Sequence, residues 1–319
     1  MNVHPPLKED LITARRRIDS LIHHTPVFTS RLLDDMSGAT LHFKCEKFQR
    51  MGAFKMRGAS NALLSLTGEQ RARGVVTHSS GNFAQALALA AQGMGTTAHI
   101  VMPQNTPAVK KAAVLDYGGV IVESGNSPAE REAKAEEIRK ATGAAFIHPS
   151  NDLNVILGNS TAAQELIEEV PDLDFIVVPV GGGGLAAGTV LAAHHFSRAL
   201  VIAAEPTGAD DAYRSLRDGI IYQSESPQTI CDGLRTNLGD INFPILRELL
   251  HEILLVDDKD TLHAVRLIFE RMKIVVEPSA AIVLGAVMTN REKFQGKRIG
   301  LILSGGNVDV TKLGMLFDA

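Results

Sequence analysis

Short apolar runs alternate with longer helical stretches along the chain. The runs at 175–180, 199–204 and 298–304 are continuous and rich in branched residues, whereas 53–66 and 82–95 are typical of helices. Continuous apolar strands belong in parallel sheets that are buried on both faces. The alternation therefore predicts an α/β protein with right-handed crossover connections.

Local signals add further elements to this pattern. Strands are also predicted at 41–46, 74–80 and 96–103. Thr106 and Pro107 begin a helix, and the segment from Ser127 to Glu130 is a capping box with proline at the first helical position. No repeat, low-complexity tract or linker is visible, so a second domain is expected to be nested within the chain.

Composition narrows the class of protein. The 319 residues are 45% hydrophobic and 21% charged, with a formal net charge of −4 and no dominant basic patch, so neither nucleic acid nor a membrane is expected as a partner. The longest uncharged stretch, 175–193, contains a proline and four consecutive glycines and is a poor membrane helix. With two cysteines, which could pair, and no signal-peptide pattern, a cytoplasmic protein is expected.

Three turns rich in glycine or serine follow predicted strands. They lie at 78–82, 180–188 and 303–307. Ligands of parallel α/β sheets bind beyond the carboxyl ends of the strands, so these turns predict one site built from several strand ends. The four glycines from Gly181 to Gly184 can point several N–H groups at an anion, and the following helix adds its positive end. Phosphate is the expected ligand of this loop.

The same glycines permit a different interpretation. Gly181-x-Gly183-x-x-Ala186 fits the dinucleotide fingerprint, and Glu205 ends the next predicted strand about 20 residues on, where a carboxylate would bind the ribose. Taken alone, this spacing would indicate a nicotinamide-binding protein.

Lys55 gives the phosphate interpretation a specific chemistry. A lysine near a phosphate loop can hold an aldehyde cofactor as a Schiff base, although a lone lysine is an ordinary surface residue. The runs GAFKMRGA, SSGNFAQ, GGGGLAAG and SGGNVD occur in this order. They resemble the lysine motif, the substrate-carboxylate loop, the phosphate loop and the C-terminal turn of fold-type-II pyridoxal-phosphate enzymes. Over essentially its full length the chain is similar to the serine/threonine dehydratase and serine racemase family, which includes 3-hydroxyaspartate dehydratases.

This resemblance implies a fold like that of the tryptophan synthase β-subunit, with two open parallel-sheet domains and pyridoxal 5′-phosphate between them. The large domain would comprise 1–73 and 152–319, and the small nested domain 74–151. Lys55 would carry the cofactor, Phe54 would pack beside its ring and Asn82 would bond its phenolic oxygen. The phosphate would be held by Gly181, Gly182, Gly183, Gly184 and Leu185. Ser304 would face the pyridine nitrogen; a neutral hydroxyl there favours elimination over transamination.

The family pattern also implies substrate contacts. The α-carboxylate would be bound by Ser79, Ser80, Asn82 and the backbone at Phe83. Ser80 would be a second acid/base on the cofactor face opposite Lys55, as in the racemases; the alternative is a capping serine. Arg235, ahead of Arg131, is a candidate for binding a second substrate carboxylate, although each arginine is more often a surface residue.

The racemase branch further implies a Mg²⁺ or Ca²⁺ site made by Glu205, the Ala209 carbonyl and Asp211, all hard oxygen ligands. The alternative is a solvated acidic helix start. The chain departs from the family at Phe83, where histidine is common, and at 158–161, which reads GNST instead of GQGT. Glu277 also matches the family, without an assigned role.

The resemblance implies a dehydratase, or ammonia-lyase. It would eliminate water from a small β-hydroxy amino acid (3-hydroxyaspartate, serine or threonine) and release a 2-oxo acid and ammonia. Serine racemase with side elimination is the main alternative. A β-replacement synthase resembling cysteine synthase is a second, which the SSGN and EPTGADD motifs disfavour. A homodimer is the family habit, and no regulatory domain is expected after SGGNVD.

Overall fold

The fold is described by a computed structural model covering residues 6–224 and 226–317, which contain ten strands and fifteen α-helices. The strands are β1 (Val27–Phe28), β2 (Thr40–Cys45), β3 (Val75–His78), β4 (Ala98–Pro103), β5 (Val120–Ser124), β6 (Ala145–Phe146), β7 (Phe175–Pro179), β8 (Leu200–Pro206), β9 (Glu252–Val256) and β10 (Arg298–Leu303). The helices are α1 (Lys8–Ile18), α2 (Arg31–Ser37), α3 (Lys55–Ser65), α4 (Gly68–Ala72), α5 (Asn82–Gly93), α6 (Ala108–Asp116), α7 (Pro128–Thr142), α8 (Leu153–Glu169), α9 (Gly184–Phe196), α10 (Asp211–Asp218), α11 (Asn242–Leu249), α12 (Asp258–Leu267), α13 (Pro278–Thr289), α14 (Arg291–Phe294) and α15 (Val310–Phe317).

Two sheets organise these elements. One has the strand order β1-β2-β10-β7-β8-β9, and the other has the order β5-β4-β3-β6. All neighbouring strands are parallel except β1, which pairs antiparallel with β2. The predicted α/β fold with two open sheets is therefore confirmed. The apolar pattern did not predict four of the strands, namely the antiparallel edge strand β1 and the parallel strands β5, β6 and β9.

Both sheets are covered on both faces. Neighbouring residues of β7 point to opposite sides: Val177 packs with α12 and α13, whereas Ile176 and Val178 pack with α8 and α9. This two-sided burial explains why the strands are continuous apolar runs. The second sheet is smaller, with α3 and α5 on one face and α7 on the other.

The second sheet lies within the predicted small domain, yet its core extends outside those bounds. Met56, Ala59 and Leu63 of α3, which precede residue 74, share one apolar cluster with Phe83 and Leu87 of α5. Helix α3 also packs on α8 of the larger sheet layer. The exact domain bounds therefore stay a prediction, and α3 connects the two layers.

A buried ionic cluster fixes α3 against its surroundings. The Arg57 guanidinium donates to both oxygens of Glu46 at 2.7 and 2.8 Å and to both oxygens of Glu165 at 2.6 and 2.8 Å. Lys44 also pairs with Glu165, at 2.7 Å. All four side chains are essentially buried, so two cations balance two carboxylates. The start of α3, where Lys55 lies, is thereby held in place.

Other sequence predictions have simple outcomes. Helix α7 begins with the predicted capping box, in which the Ser127 Oγ and the Glu130 carboxylate exchange hydrogen bonds with backbone N–H groups. Cys45 and Cys231 are buried free thiols and do not pair. In the part of the chain that the structure describes, no helix is long and apolar enough to cross a bilayer.

Candidate active site

Lys55 lies where the two sheet layers meet. It is the first residue of α3, and its Nζ donates a hydrogen bond to the Pro149 carbonyl oxygen at 2.9 Å. The ring centroids of Phe54 and Phe83 lie 5.0 and 5.6 Å from Nζ. Burial lowers the pKa of Lys55 from 10.5 to about 8, against the opposing effect of the Glu277 carboxylate. A neutral amine is therefore accessible near neutral pH.

The C-terminal turn lies directly beside Lys55. The Phe54 N–H donates to the Ser304 carbonyl oxygen at 3.0 Å, and Ala53 pairs with Gly305 as an isolated bridge. Ser304 is buried at the end of β10. The lysine motif and the SGGN turn, nearly 250 residues apart in sequence, thus form one wall of the site.

The glycine loop forms a second wall. Among the described residues, the backbone N–H groups from Gly181 to Ala186 have no hydrogen-bond partner, and α9 begins within this segment. A Cβ atom on Gly182 would lie 2.5 Å from the Ser150 Oγ, and one on Gly184 would lie 2.8 Å from the Ser150 carbonyl oxygen. Only glycine fits at these positions, and the unpaired N–H groups are suited to binding an anion.

The SSGN turn leads into α5 and carries a second set of unpaired donors. The N–H groups of Ser80, Asn82 and Phe83 have no partner in the described part of the chain. The Ser79 Oγ accepts from the Gly81 N–H at 3.4 Å. The backbone donors at this helix start suit a carboxylate, as the sequence predicted for this segment.

Asn82 is held by two residues from the larger layer. Its Nδ2 donates to both Glu277 oxygens at 3.2 and 3.1 Å, and its Oδ1 accepts from the Asn307 Nδ2 at 3.0 Å. Burial raises the pKa of Glu277 to about 7, with the Asn82 hydrogen bond acting in the opposite direction. Glu277, unassigned from sequence, therefore lies in the site beside Asn82 and close to Lys55.

His148 belongs to the same region, although no sequence signal singled it out. Its Nδ1 accepts from the N–H groups of Ser150 and Asn151 at 3.1 and 2.8 Å, and its ring lies edge-to-face with His78. Burial, followed by the charges of His78 and Lys55, lowers the pKa of His148 to about 4. The imidazole is neutral near pH 7, with its proton on Nε2.

The two candidate arginines lie in different environments. Arg131 of α7 is close enough to His78 for its charge to lower the pKa of that imidazole, after the larger effect of burial. The Arg131 Nε is buried and has no hydrogen-bond partner among the described residues. Arg235 is exposed and donates through Nε and Nη2 to the Thr229 carbonyl oxygen.

The candidate metal ligands lie apart, at the end of β8 and the start of α10. Glu205 accepts from the N–H groups of Ala212 and Tyr213 at 2.7 Å each, whereas both oxygens of Asp211 are buried without a partner in the described residues. Burial raises the pKa of Glu205 to about 8 and that of Asp211 to about 7. Such carboxylates are costly without a cation, so this donor set fits a hard metal ion.

A sequence profile for the family described as "Pyridoxal-phosphate dependent enzyme" matches residues 18–305. The chain belongs to this family. It is 45% identical over 309 residues to the β-hydroxyaspartate dehydratase of Paracoccus denitrificans, covering 97% of this chain and 98% of the relative. It is also 45% identical over 312 residues to serine racemase of Oryza sativa subsp. indica, covering 96% and 91%. The structure of maize serine racemase has a TM-score of 0.95 at 44% identity, covering 99% of this chain and 98% of that one.

Family membership makes this chain a pyridoxal-phosphate enzyme of fold type II and replaces the nicotinamide interpretation of the glycine loop. The residues present fit the cofactor. The Lys55 amine, of lowered pKa, contacts Pro149, and the next residue, Ser150, packs against the glycine loop with its free N–H groups. The Asn82 amide binds Glu277, whose charge acts on Lys55. Lys110 of α6 also pairs with Asp232 of the larger layer at 2.9 Å, which links the two layers.

Proposed function

We propose that this enzyme is a dehydratase that eliminates water from small β-hydroxy amino acids, giving a 2-oxo acid and ammonia. The observation that carries the proposal is the convergence of the Lys55 amine with the free N–H groups at the start of α5 and of α9. The Paracoccus relative, named for dehydration of β-hydroxyaspartate, supports the reaction class.

The reaction requires a base at the α-carbon and a receptor for the α-carboxylate. Bound pyridoxal phosphate supplies the electron sink that acidifies the α-proton. With a pKa of about 8, the Lys55 amine is neutral in about one molecule in ten at pH 7 and can accept that proton at Nζ. The N–H groups of Ser80, Asn82 and Phe83 orient the α-carboxylate. The β-hydroxyl leaves as water after taking up a proton, for which the proton that Lys55 has accepted at Nζ provides a source. The released enamine becomes an imine, and its hydrolysis by water gives the 2-oxo acid and ammonia.

A second carboxylate on the substrate would suit Arg131. Its guanidinium has no carboxylate partner in the described residues and lies beside His78, whose ring contacts His148 near Lys55. Arg235 instead donates to the Thr229 carbonyl oxygen. We therefore favour 3-hydroxyaspartate over serine and threonine as substrate. We also place Arg131 ahead of Arg235, which reverses the order expected from the sequence.

The test compares 3-hydroxyaspartate with L-serine on the holoenzyme, measuring ammonia and 2-oxo acid. Arg131→Ala should lower kcat/KM for hydroxyaspartate by about 10- to 100-fold and change the value for serine little, because a charge-assisted contact is lost only with the dicarboxylate. Arg139→Ala is the matched control, since Arg139 lies on the same helix and pairs with Glu136 on the surface. Equal losses for both substrates would argue against the assignment, and no 2-oxo acid from any β-hydroxy amino acid would refute the function.

Racemisation is the second candidate. Ser80 is partly buried at the start of α5, and its hydroxyl makes no hydrogen bond to the described residues. A free hydroxyl can deliver a proton to the face of the α-carbon opposite Lys55, which elimination from an L-substrate does not need. The rice relative named serine racemase favours this possibility.

We further propose that Glu205, Asp211 and the Ala209 carbonyl bind Mg²⁺ or Ca²⁺. The support is the buried Asp211 carboxylate, whose oxygens lack any donor in the described part of the chain. The site supplies two carboxylates and one carbonyl. Among the described residues, no group of three or more His, Cys, Asp or Glu side chains is arranged so that it could hold a metal ion. Water would complete the coordination of the ion.

A homodimer and a cytoplasmic location are also proposed. The homodimer is supported by the state common in this family, and the location by the low cysteine content. Light scattering of the purified protein measures the first.

A further inference from the structure

Asn242 is a fully buried amide behind the glycine loop, and no sequence signal singled it out. It is the first residue of α11. Its Nδ2 donates to the Gly182 carbonyl oxygen at 2.8 Å and to the Ser150 carbonyl oxygen at 3.3 Å. Its Oδ1 accepts from the Gly239 N–H at 3.0 Å. One side chain therefore holds three backbone groups, and its amide orientation is fixed by them.

The bond to Gly182 decides how the glycine loop presents its donors. In a trans peptide the C=O and the following N–H point in opposite directions. Because the Gly182 carbonyl points at Asn242, the Gly183 N–H points away from it. Gly183 has φ +75°, and a Cβ there would lie 2.6 Å from Leu238 and 2.9 Å from Asn242. The loop is thus pressed against Asn242, with the Gly183 N–H directed to the other side.

The hydrogen bond from Asn242 to the Ser150 carbonyl oxygen holds a second backbone segment, which contacts Lys55. The preceding residue, Pro149, carries the carbonyl that accepts from the Lys55 Nζ at 2.9 Å. The following residue, Asn151, accepts the Ile241 N–H at 2.9 Å through its Oδ1. The segment 149–151 is therefore fixed by the turn that ends at Asn242.

We propose that Asn242 is a positioning residue for pyridoxal phosphate, acting on the cofactor's two attachment points through Gly182 and through Ser150. It aligns the Gly183 N–H with the phosphate and fixes the segment that contacts Lys55. This inference concerns cofactor binding and holds whichever amino acid is the substrate. A purely structural Asn242 would support the fold of both cofactor-free and cofactor-bound protein without affecting the cofactor's affinity.

The experiment measures pyridoxal-phosphate affinity by titrating the cofactor-free protein and following visible absorption, with urea unfolding of the cofactor-free protein measured in parallel. Asn242→Ala should weaken affinity at least about 10-fold, because the loop N–H groups lose their alignment. Asn61→Ala is the control. Asn61 is equally buried and its Nδ2 also donates to a backbone carbonyl, that of Asn154 at 2.7 Å, away from the glycine loop. It should lose stability but change affinity less than about 2-fold.

Two further variants sharpen the outcome. Asn242→Asp keeps the acceptor for Gly239 and places an oxygen against the two carbonyl groups, so its affinity should fall further than that of Asn242→Ala. If the alanine variant fails to fold, Asn242→Thr retains a hydroxyl donor of shorter reach and should bind the cofactor with reduced affinity. Unchanged affinity in the folded Asn242 variants, or an equal loss in Asn61→Ala, would overturn the proposal. Neither measurement uses substrate, so a wrong substrate assignment does not affect it.

Discussion

Replacing Lys55 by methionine should stabilise the cofactor-free protein at neutral pH. The amine lies 5.0 and 5.6 Å from the centroids of the Phe54 and Phe83 rings, and burial lowers its pKa from 10.5 to about 8. The folded state therefore carries a protonated amine at a cost, which is tolerated because the chemistry needs a neutral one. Methionine has a similar length and no charge.

The magnitude follows from the two pKa values. At about 1.4 kcal/mol per factor of ten in proton affinity, lowering the pKa from 10.5 to about 8 corresponds to about 3 kcal/mol. Lys55 keeps some contact with solvent, and the variant loses the hydrogen bond to Pro149. These two effects reduce the expected gain to about 1–2 kcal/mol.

The difference in stability between Lys55→Met and the wild type should depend on pH. Below pH 8 the folded and unfolded wild-type chains both carry the proton, so the full penalty applies. Between pH 8 and 10.5 the folded chain releases its proton before the unfolded chain does, and the wild type gains stability as pH rises. The advantage of Lys55→Met should therefore shrink across this window.

Urea unfolding of the cofactor-free proteins, near pH 7 and near pH 10, measures both effects. Lys140→Met is the control, because the Lys140 side chain is 71% exposed, and its difference from wild type should be the same at both pH values. A Lys55→Met protein that is less stable than wild type near pH 7, or whose difference from wild type does not change with pH, would refute the reasoning.

Three other outcomes are expected. Arg57→Leu should lower the free energy of unfolding in urea by about 3–5 kcal/mol, because two buried carboxylates then face only one cation. The double variant Arg57→Leu/Glu165→Leu should lose less stability than the sum of the two single variants, and additive losses would contradict this. Mg²⁺ or Ca²⁺ should raise the melting temperature of the wild type and of Asp210→Asn but not that of Asp211→Asn. If the wild type melts at the same temperature with the metal ion as with excess chelator, the metal site is wrong. Ser80→Ala should abolish any racemisation and any reaction of D-serine, while elimination from the L-isomer continues. If racemisation and L-elimination are lost in parallel, Ser80 only contacts the substrate carboxylate.

Local patterns were sufficient to predict the chemistry-bearing segments. The apolar runs correspond to β7, β8 and β10, because a strand that is buried on both faces carries apolar side chains on both sides along most of its length. The glycines from Gly181 to Gly184 and the GAFK run are short, contiguous signals, and the fold places Pro149 and Ser150 between them. The short strands β1 and β6, with two residues each, were too brief to produce a periodic signal.

The α/β class, the candidate lysine, the candidate phosphate loop and the order of the motifs could be predicted from the amino-acid sequence, since each depends on residues that are adjacent or periodic in the chain. The polar groups that hold the site together became visible only in the folded molecule. Asn82 and Glu277 are 195 residues apart, and Asn242 lies 60 residues from the Gly182 carbonyl that it holds. The hydrogen-bond partners of a buried side-chain amide are brought to it by the packing of distant helices. Such an amide leaves no local sequence pattern, because its hydrogen bonds can be satisfied at any buried position with suitable neighbours.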